Sequence, residues 1–177
     1  MPPQVVTTQQ TVIIGFMGTG KTTVAHELGR KLNCLAVDLD ELIARREGRS
    51  ASEIIEQDGE SEFRRVESHL LFETLAAARA RIIAVGGGAW TIAANRQLIA
   101  ERGAFSVWLD ADFELCWKRI ISGFEIRPLA RSREMAELLY NERRPVYELA
   151  NTRVTVSEGD SAAEIARKVS NEILRQQ

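Results

Sequence analysis

The chain has 177 residues, of which 45% are hydrophobic and 27% charged, a balance typical of globular proteins and unlike that of disordered or collagen-like chains. Its 23 Lys and Arg against 25 Asp and Glu give a net charge of −2, which lends no support to nucleic-acid or anionic-membrane binding. No apolar run approaches the ~20 residues that span a bilayer. The two cysteines, Cys34 and Cys116, lie far apart in sequence and fit a reducing compartment. The sequence therefore predicts one cytoplasmic domain over residues 1–177, with residues 1–10 as a loose leader.

Short apolar runs alternate along the chain with longer amphipathic segments. The runs predicted as strands are Val12–Phe16, Leu35–Leu39, Ile82–Gly86, Phe105–Leu109 and Arg153–Val156. The segments predicted as helices are Lys21–Leu32, Ser61–Arg79, Thr91–Arg102, Phe113–Ile121, Glu134–Ala150 and Ser161–Arg175. Several strands are apolar at consecutive positions, which is typical of strands covered on both faces. The alternation predicts a three-layer α/β/α fold around a parallel sheet.

Residues 15–22, GFMGTGKT, match the phosphate-loop pattern G-x-x-x-x-G-K-[ST], with a predicted strand before them and a predicted helix after. The glycines allow the backbone to curl so that its amides point at phosphate oxygens, and the helix N-terminus adds a favourable dipole. In this pattern the lysine, Lys21, reaches the β- and γ-phosphates and the hydroxyl of Thr22 ligates the metal. The motif predicts a site for a nucleoside triphosphate.

Two acidic residues, Asp38 and Asp40, end the second predicted strand. Side chains two residues apart share a face of an extended chain, so both carboxylates are expected in the cleft at the carboxyl ends of the strands. One acid would then order the water shell of the metal, and the other would accept a proton from the attacking hydroxyl. The alternative is that Asp40 only caps a helix that begins at Glu41.

Three further features are candidates for the side of the site that binds the phosphate acceptor. Three glycines, residues 86–88, follow the third strand and indicate either close approach by a ligand or a plain tight turn. Arg64 has Glu67 three residues later, which either fixes its guanidinium for a carboxylate or phosphate or belongs to a solvated helix face. The segment 122–132, SGFEIRPLARS, is either a solvent loop or a lid that carries arginines over a phosphate.

Taken together, these motifs resemble the shikimate kinase family. The matching stretches are the phosphate loop, Asp38-x-Asp40, Ser50-x-x-Glu53-Ile54, Gly59-Glu60-x-x-Phe63-Arg64-x-x-Glu67, Gly86-Gly87-Gly88, Arg127-Pro128-Leu129 and Arg143-x-Pro145-x-Tyr147. They occur in the family's order from residue 15 to residue 147, with a helical tail beyond. The resemblance implies the fold of nucleoside monophosphate kinases, a five-stranded parallel sheet with a lid and substrate-binding segments.

The resemblance also implies a reaction and a set of residue roles. The family transfers the γ-phosphate of ATP to the 3-hydroxyl of shikimate, with Mg²⁺, on the way to chorismate and the aromatic amino acids. ATP would be bound by Gly18, Thr19, Gly20, Lys21, Thr22, Thr23 and, on the lid, Arg127. Magnesium would be held by Thr22 and, through water, by Asp38. Shikimate would be bound by Asp40, Arg64, Gly87 and Arg143, and the expected catalytic residues are Lys21, Asp40 as the base, and Arg127.

Two details of this assignment depend on register. Arg143 is preferred to Arg144 because it lies two residues before Pro145. Arg119 is a candidate to stack on the adenine.

Other functions fit parts of the pattern. Another small-molecule kinase of the same fold, of the gluconate or nucleotide type, would share the phosphate loop, but the triple glycine and the pairing of Asp40 with Arg64 favour shikimate kinase. An inactive nucleotide-binding regulatory module would be expected to lack Lys21, Asp40 or Arg64, and all three are present. No basic stripe with interleaved aromatics supports nucleic-acid binding. We expect a monomer whose ligands are ATP and shikimate, with no nucleic-acid or membrane partner.

Overall fold

Strands and helices alternate along the chain in a computed structural model that describes residues 9–123 and 130–176. Within these residues the strands are β1 (Thr11–Ile14), β2 (Ala36–Asp38), β3 (Ile82–Ala84), β4 (Phe105–Ala111) and β5 (Thr152–Val156). The α-helices are α1 (Lys21–Leu32), α2 (Leu39–Glu47), α3 (Ala51–Asp58), α4 (Glu60–Ala77), α5 (Ala93–Glu101), α6 (Phe113–Ser122), α7 (Arg133–Tyr147) and α8 (Ala162–Arg175). A short 3₁₀ helix, Ala89–Thr91, precedes α5.

The five strands form one parallel sheet in the order β2-β3-β1-β4-β5. From β1 the chain crosses to the edge strand β2, and from β2 the later strands follow in the opposite direction across the sheet, ending at β5. Because the connections are right-handed crossovers, this reversal places helices on both faces of the sheet. Consistent with this, α1 packs against α8, while α4 packs against α5 and α6 against α7. The predicted fold class is confirmed.

Burial follows the position of each strand in the sheet. Every residue of β1 and β4 is buried, as expected for inner strands covered by helices on both faces. The edge strand β5 instead alternates at its end, with Val154 and Val156 buried and Arg153 and Thr155 exposed. This alternation gives β5 a core face and a solvent face, which is typical of an edge strand that carries polar residues outward.

Two helices of the structure, α2 and α3, are absent from the helices predicted from the sequence, although one alternative for Asp40 included a helix beginning at Glu41. The helix α2 begins directly after β2, with no loop between them, so the strand pattern concealed its start. The start of α3 did carry a signal. Ser50 accepts a hydrogen bond from the backbone of Glu53, and the Glu53 side chain accepts one from the backbone of Ser50, forming a capping box.

Three strand ends meet at one edge of the sheet. The phosphate loop follows β1, Asp38 is the last residue of β2, and glycines 86–88 follow β3 after Val85. The strands β1 and β3 are neighbours, and β3 also pairs with β2. In open parallel sheets the carboxyl edge is where ligands bind, so the fold brings the candidate residues to one cleft.

Candidate active site

The phosphate loop, residues 15–22, connects β1 to α1. Gly18 and Gly20 have φ angles of 81° and 89°, in the left-handed region that glycine adopts without strain. Gly20 is the N-cap of α1, and no acidic residue lies in the first turn of that helix. The Lys21 ammonium folds back over the loop and donates to the Phe16 carbonyl at 2.9 Å. A helix N-terminus with a lysine and no nearby acid in its first turn is suited to bind phosphate.

Thr22 and Asp38 are brought together, as the sequence analysis predicted. The Thr22 hydroxyl donates to Oδ2 of Asp38 at 2.6 Å. The other oxygen of Asp38, Oδ1, accepts from the backbone N–H groups of Asp40 and Glu41 at 2.8 and 3.2 Å, so Asp38 is also the N-cap of α2. Thr23 is exposed beside this pair. Hydroxyl and carboxylate oxygens are the ligands that magnesium prefers, and two of them fit an ion that is also held by phosphates and water.

Asp40 does not lie on a strand. β2 ends at Asp38, and Asp40 belongs to the first turn of α2, so the argument that the two acids share one strand face is wrong. The alternative is also wrong, because the helix begins at Leu39 and Asp38 caps it. The Asp40 carboxylate nevertheless faces the turn after β3. A β-carbon built at Gly86 would lie 3.4 Å from its Oδ1.

The three glycines after β3, residues 86–88, form the wall of the cleft and are called here the glycine turn. A β-carbon at Gly86 would lie 2.6 Å from Oε1 of Glu67, and one at Gly88 would overlap the guanidinium of Arg64. Each of these positions therefore leaves space for a charged side chain of α4. The glycine turn is thus approached closely by side chains of the protein itself, while its approach by a ligand stays a prediction.

The middle glycine, Gly87, lies where the acceptor side meets the nucleotide side. A β-carbon there would be 3.1 Å from the Gly15 carbonyl oxygen in the phosphate loop and 3.1 Å from the Tyr147 hydroxyl. It would also lie 3.4 Å from Nη1 of Arg143. Any side chain at Gly87 would thus push against both halves of the candidate site.

Arg64 is held by two carboxylates on its own helix. Its Nη1 contacts Oε2 of Glu67 at 2.6 Å, and its Nη2 contacts Oε1 of Glu60 at 3.1 Å. Of the two alternatives for Arg64, the guanidinium fixed by Glu67 is therefore the one observed, and not the solvated helix face. Glu67 is fully buried, and its Oε1 has no hydrogen-bond partner within the described residues.

The pKa of Glu67 reflects this environment. Burial raises the pKa of this carboxyl to about 7, and the Asp40 charge adds to the rise, while the Arg64 and Arg143 guanidiniums oppose it. Because this pKa lies near neutrality, small changes in pH or in the neighbouring charges change the charge of Glu67.

The two neighbouring arginines of α7 point to different places. Arg143 is buried beside the glycine turn. Arg144 instead makes a two-pronged contact with the carboxylate of Asp110, at 2.5 and 3.1 Å, and its guanidinium lies over the Trp108 ring. The structure thus places Arg143, and not Arg144, at the candidate acceptor site.

Arg127 and most of the proposed lid, residues 124–129, lie outside the described residues. On the near side, α6 ends at Ser122, and on the far side Ser132 caps α7. Arg119, the candidate for adenine stacking, lies against the phosphate loop, where its Nη1 donates to the carbonyls of Gly18 and Thr19 at 3.2 and 3.4 Å.

Comparison with known proteins identifies the family. A family model described as shikimate kinase matches residues 17–174. The chain belongs to the shikimate kinase family. A shikimate kinase of Cereibacter sphaeroides is 40% identical over 151 residues, which cover 84% of this chain and 74% of that protein. The resemblance drawn from the motifs is confirmed, and with it the assignment of the chain as an ATP-dependent kinase.

Solved structures give the same result for the fold. A shikimate kinase from Acinetobacter baumannii, in complex with shikimate, superposes with a TM-score of 0.87 at 32% identity, covering 96% of this chain and 94% of that one. A gluconokinase from Sinorhizobium meliloti has a TM-score of 0.67 at 17% identity, covering 95% and 93%. The second similarity extends to the fold alone.

Within residues 9–123 and 130–176, none of the helices is both long enough and apolar enough to cross a membrane. Among the same residues, no three or more His, Cys, Asp or Glu side chains cluster as metal ligands. A cation held by the Thr22 and Asp38 oxygens would need further oxygen ligands, such as those of phosphate and water.

Sequence reasoning did not give a role to Tyr147, and it did not identify Glu67 and Arg64 as the side chains that lie against Gly86 and Gly88. Each was part of a quoted motif, so the signal was present. What was missing was the packing, because the contacts of these residues join α4, α7 and the glycine turn across long stretches of sequence.

Proposed function

We propose that this shikimate kinase family member transfers the γ-phosphate of ATP to the 3-hydroxyl of shikimate, giving shikimate 3-phosphate and ADP. The observation that carries the proposal is the position of Gly87, where a built β-carbon would lie 3.1 Å from the Gly15 carbonyl oxygen of the phosphate loop and 3.4 Å from Arg143. A hydroxyl acid bound at the glycine turn would lie next to a nucleotide bound at the phosphate loop. Phosphoryl transfer depends mainly on such alignment and on charge neutralisation.

The nucleotide side would be formed by the loop and the start of α1. Backbone amides of Gly18, Thr19 and Gly20 would surround the phosphates, together with the first residues of α1, Lys21 to Thr23. The Lys21 ammonium would exchange its bond to the Phe16 carbonyl for phosphate oxygens.

Magnesium would be held by Thr22 and, through water, by Asp38, whose oxygens lie together in the structure. When bound, the ion supplies positive charge to the β- and γ-phosphate oxygens. Because the second oxygen of Asp38 is fixed by the α2 backbone, the carboxylate is oriented before any ion arrives.

The acceptor side would bind shikimate through its carboxylate and its hydroxyls. Arg64 and Arg143 carry the positive charges that a carboxylate needs, and both border the glycine turn. Asp40 would accept the proton of the 3-hydroxyl as that oxygen bonds to the γ-phosphorus and the bond to the β-phosphate oxygen breaks. A carboxylate is far too weak a base to ionise an alcohol beforehand, so the proton moves late, which suits a loose transition state.

The remaining assignments complete the proposal. Arg127 would close over the phosphates as part of a lid at residues 122–132, excluding water. We propose further that residues 1–177 form one kinase domain, that the protein is a monomer, and that it acts in the cytoplasm with no nucleic-acid or membrane partner. The unpaired state of Cys34 and Cys116 fits that compartment.

A coupled assay of ADP release tests the proposed function. Purified protein with ATP and magnesium should turn over with shikimate and show little turnover with gluconate or nucleoside monophosphates. Faster turnover with gluconate, or ADP release that does not depend on shikimate, would contradict the assignment.

A further inference from the structure

The last turn of α7 is joined to the glycine turn by two hydrogen bonds that run in opposite directions. The Tyr147 hydroxyl donates to the Gly87 carbonyl at 2.8 Å. In return, the indole N–H of Trp90, just after the glycine turn, donates to the Val146 carbonyl at 2.9 Å. Tyr147 is almost completely buried, and its ring packs against Trp108. The glycine turn therefore has a fixed position relative to α7.

The same hydroxyl also lies beside the arginine one turn earlier on α7. A β-carbon built at Gly87 would be 3.1 Å from the Tyr147 oxygen and 3.4 Å from Nη1 of Arg143, so both groups face the same point of the glycine turn. Burial raises the pKa of Tyr147 to about 12, although the Arg143 charge opposes the rise, so the hydroxyl keeps its proton at neutral pH. Its one proton goes to Gly87, so toward the neighbouring Arg143 the oxygen can act only as an acceptor. The hydroxyl thus lies between a carbonyl that it binds and a guanidinium whose charge acts on it.

We propose that Tyr147 is a positioning residue for the acceptor, holding the Arg143 guanidinium and the Gly87 backbone in a fixed relation for a carboxylate-bearing substrate. This inference rests on the proposed function, because it assigns Arg143 to the substrate carboxylate. Without the hydroxyl, the Gly87 carbonyl would lose its donor, and the buried Arg143 guanidinium would lose its polar neighbour and be able to turn away from the cleft. Lys21 and the phosphate loop would be unaffected.

The chain offers a matched control on the same helix. Tyr140 lies two turns before Tyr147 and is also buried. Its hydroxyl donates to a backbone carbonyl, that of Ala111, at 2.9 Å, and accepts from an arginine four residues away, Arg144, at 2.8 Å. Both tyrosine hydroxyls therefore donate to a backbone carbonyl beside an arginine of α7, but only Tyr147 does so at the glycine turn.

The decisive experiment compares Tyr147→Phe with Tyr140→Phe. Shikimate binding is measured by calorimetry without nucleotide, and KM and kcat are measured for both substrates. Tyr147→Phe should raise the Kd and KM for shikimate by about 5- to 100-fold, as for buried partners left unsatisfied, and change the KM for ATP less than about twofold. Tyr140→Phe should lower the melting temperature comparably and leave the shikimate Kd within about twofold of wild type. A shikimate Kd for Tyr147→Phe within that same margin overturns the proposal, as does an equal loss in both variants.

A double-mutant cycle tests whether Tyr147 acts through Arg143. If it does, Tyr147→Phe should cost much less shikimate affinity in an Arg143→Ala background than alone, because coupled residues are not additive. Full additivity would overturn the positioning role. If wild type itself does not phosphorylate shikimate, the proposed function fails and this inference with it. If wild type does and Tyr147→Phe matches it, only the inference fails.

A measurement on the unmodified fold covers the case in which Tyr147→Phe does not fold. The chain has 2 tyrosines, so tyrosine labelled with ¹³C at Cζ gives two signals, which Tyr140→Phe assigns. Adding shikimate should shift the Tyr147 signal and leave the Tyr140 signal in place. An unmoved Tyr147 signal at saturating shikimate would overturn the proposal.

Discussion

The phosphate loop and the acceptor site lie side by side at the carboxyl edge of the sheet but are built differently. The loop is one continuous stretch, residues 15–22, whose geometry comes from its own glycines and from the start of α1. The proposed acceptor site takes Asp40 from α2, Arg64 from α4 and Arg143 from α7, and these side chains converge on the glycine turn. A short motif is therefore sufficient for a nucleotide site, whereas acceptor recognition depends on the tertiary fold.

The largest expected effect comes from changing Asp40, the proposed proton acceptor of the acceptor side. Asp40→Asn should lower kcat by ~10²- to 10⁴-fold, as for a lost general base, while ATP binding survives because the phosphate loop is intact. Asp38→Asn should instead raise the magnesium concentration needed for half-maximal activity. A magnesium titration of kcat for both variants separates the two acids. Rescue of Asp40→Asn by excess magnesium, with no rescue of Asp38→Asn, would reverse their roles.

The second effect removes one of the two cations of the acceptor side. Arg64→Ala should weaken shikimate binding by ~10- to 1,000-fold, following the loss of a charged pair in a desolvated site, and leave the KM for ATP nearly unchanged. Arg65→Ala is the matched control, because its side chain is exposed and pairs with Glu62 on the outer face of α4. Calorimetry with each substrate gives the answer. Equal weakening of both substrates by Arg64→Ala would mean that this residue supports the fold.

The third effect breaks the nucleotide side alone. Lys21→Met should lower kcat by ~100-fold or more, since a positive group used in the transition state contributes ~3 kcal/mol. Shikimate binding measured without nucleotide should stay within about twofold of wild type if the two sides are built independently. Lys31→Met, at the exposed end of α1, is the control and should keep full turnover. Turnover of Lys21→Met within threefold of wild type would remove Lys21 from the mechanism.

The smallest effect concerns stability and pH on the acceptor side. The pKa of Glu67 is about 7 in the folded protein, above its ordinary value of 4.5. The folded state therefore binds this proton more tightly than the unfolded chain, and the resulting stabilisation is complete below pH 4.5 and is lost as pH rises through about 7. The melting temperature of wild type should therefore fall between pH 4.5 and pH 7 by at least ~3 °C more than that of Glu67→Gln, for a chain of this size. Thermal melts of both proteins across this pH range measure the difference.

The control for this pH dependence is Glu60→Gln. Glu60 also pairs with Arg64 but is much more exposed than Glu67. The melting temperature of Glu60→Gln should change with pH between 4.5 and 7 by the same amount as that of wild type. If Glu67→Gln also runs parallel to wild type, Glu67 does not carry the shifted proton.

Sequence reasoning succeeded where the determining contacts are local. The helix α1 was predicted with its observed bounds, Lys21–Leu32, and the spacing of Arg64 and Glu67 gave their ion pair. Both depend on residues a few positions apart, for which helical geometry fixes the outcome. The inner strands of the sheet were also predicted from local sequence. Consecutive apolar residues indicate a strand covered on both faces, whichever strands it pairs with.

It failed where the chain changes structure without a break. The argument for Asp38 and Asp40 assumed that an extended chain continues past residue 38, but the backbone enters α2 at Leu39. Asp38 itself causes the change, since its Oδ1 accepts the first amides of the helix. Likewise, no local pattern could place the Tyr147 hydroxyl at Gly87, because the two residues are separated by 60 positions.

The double use of Asp38 affects what could be learned from relatives that have lost activity. One oxygen of its carboxylate caps α2, and the other meets Thr22. A pseudoenzyme on this fold would still gain from the cap, which contributes about 1 kcal/mol, so mutational drift would remove Asp38 slowly or replace it with asparagine, which also caps. An acidic residue kept at position 38 is therefore only weak evidence that a relative is catalytically active. Asp40, which does not cap the helix, would be the more informative residue for telling a working kinase from a silent copy.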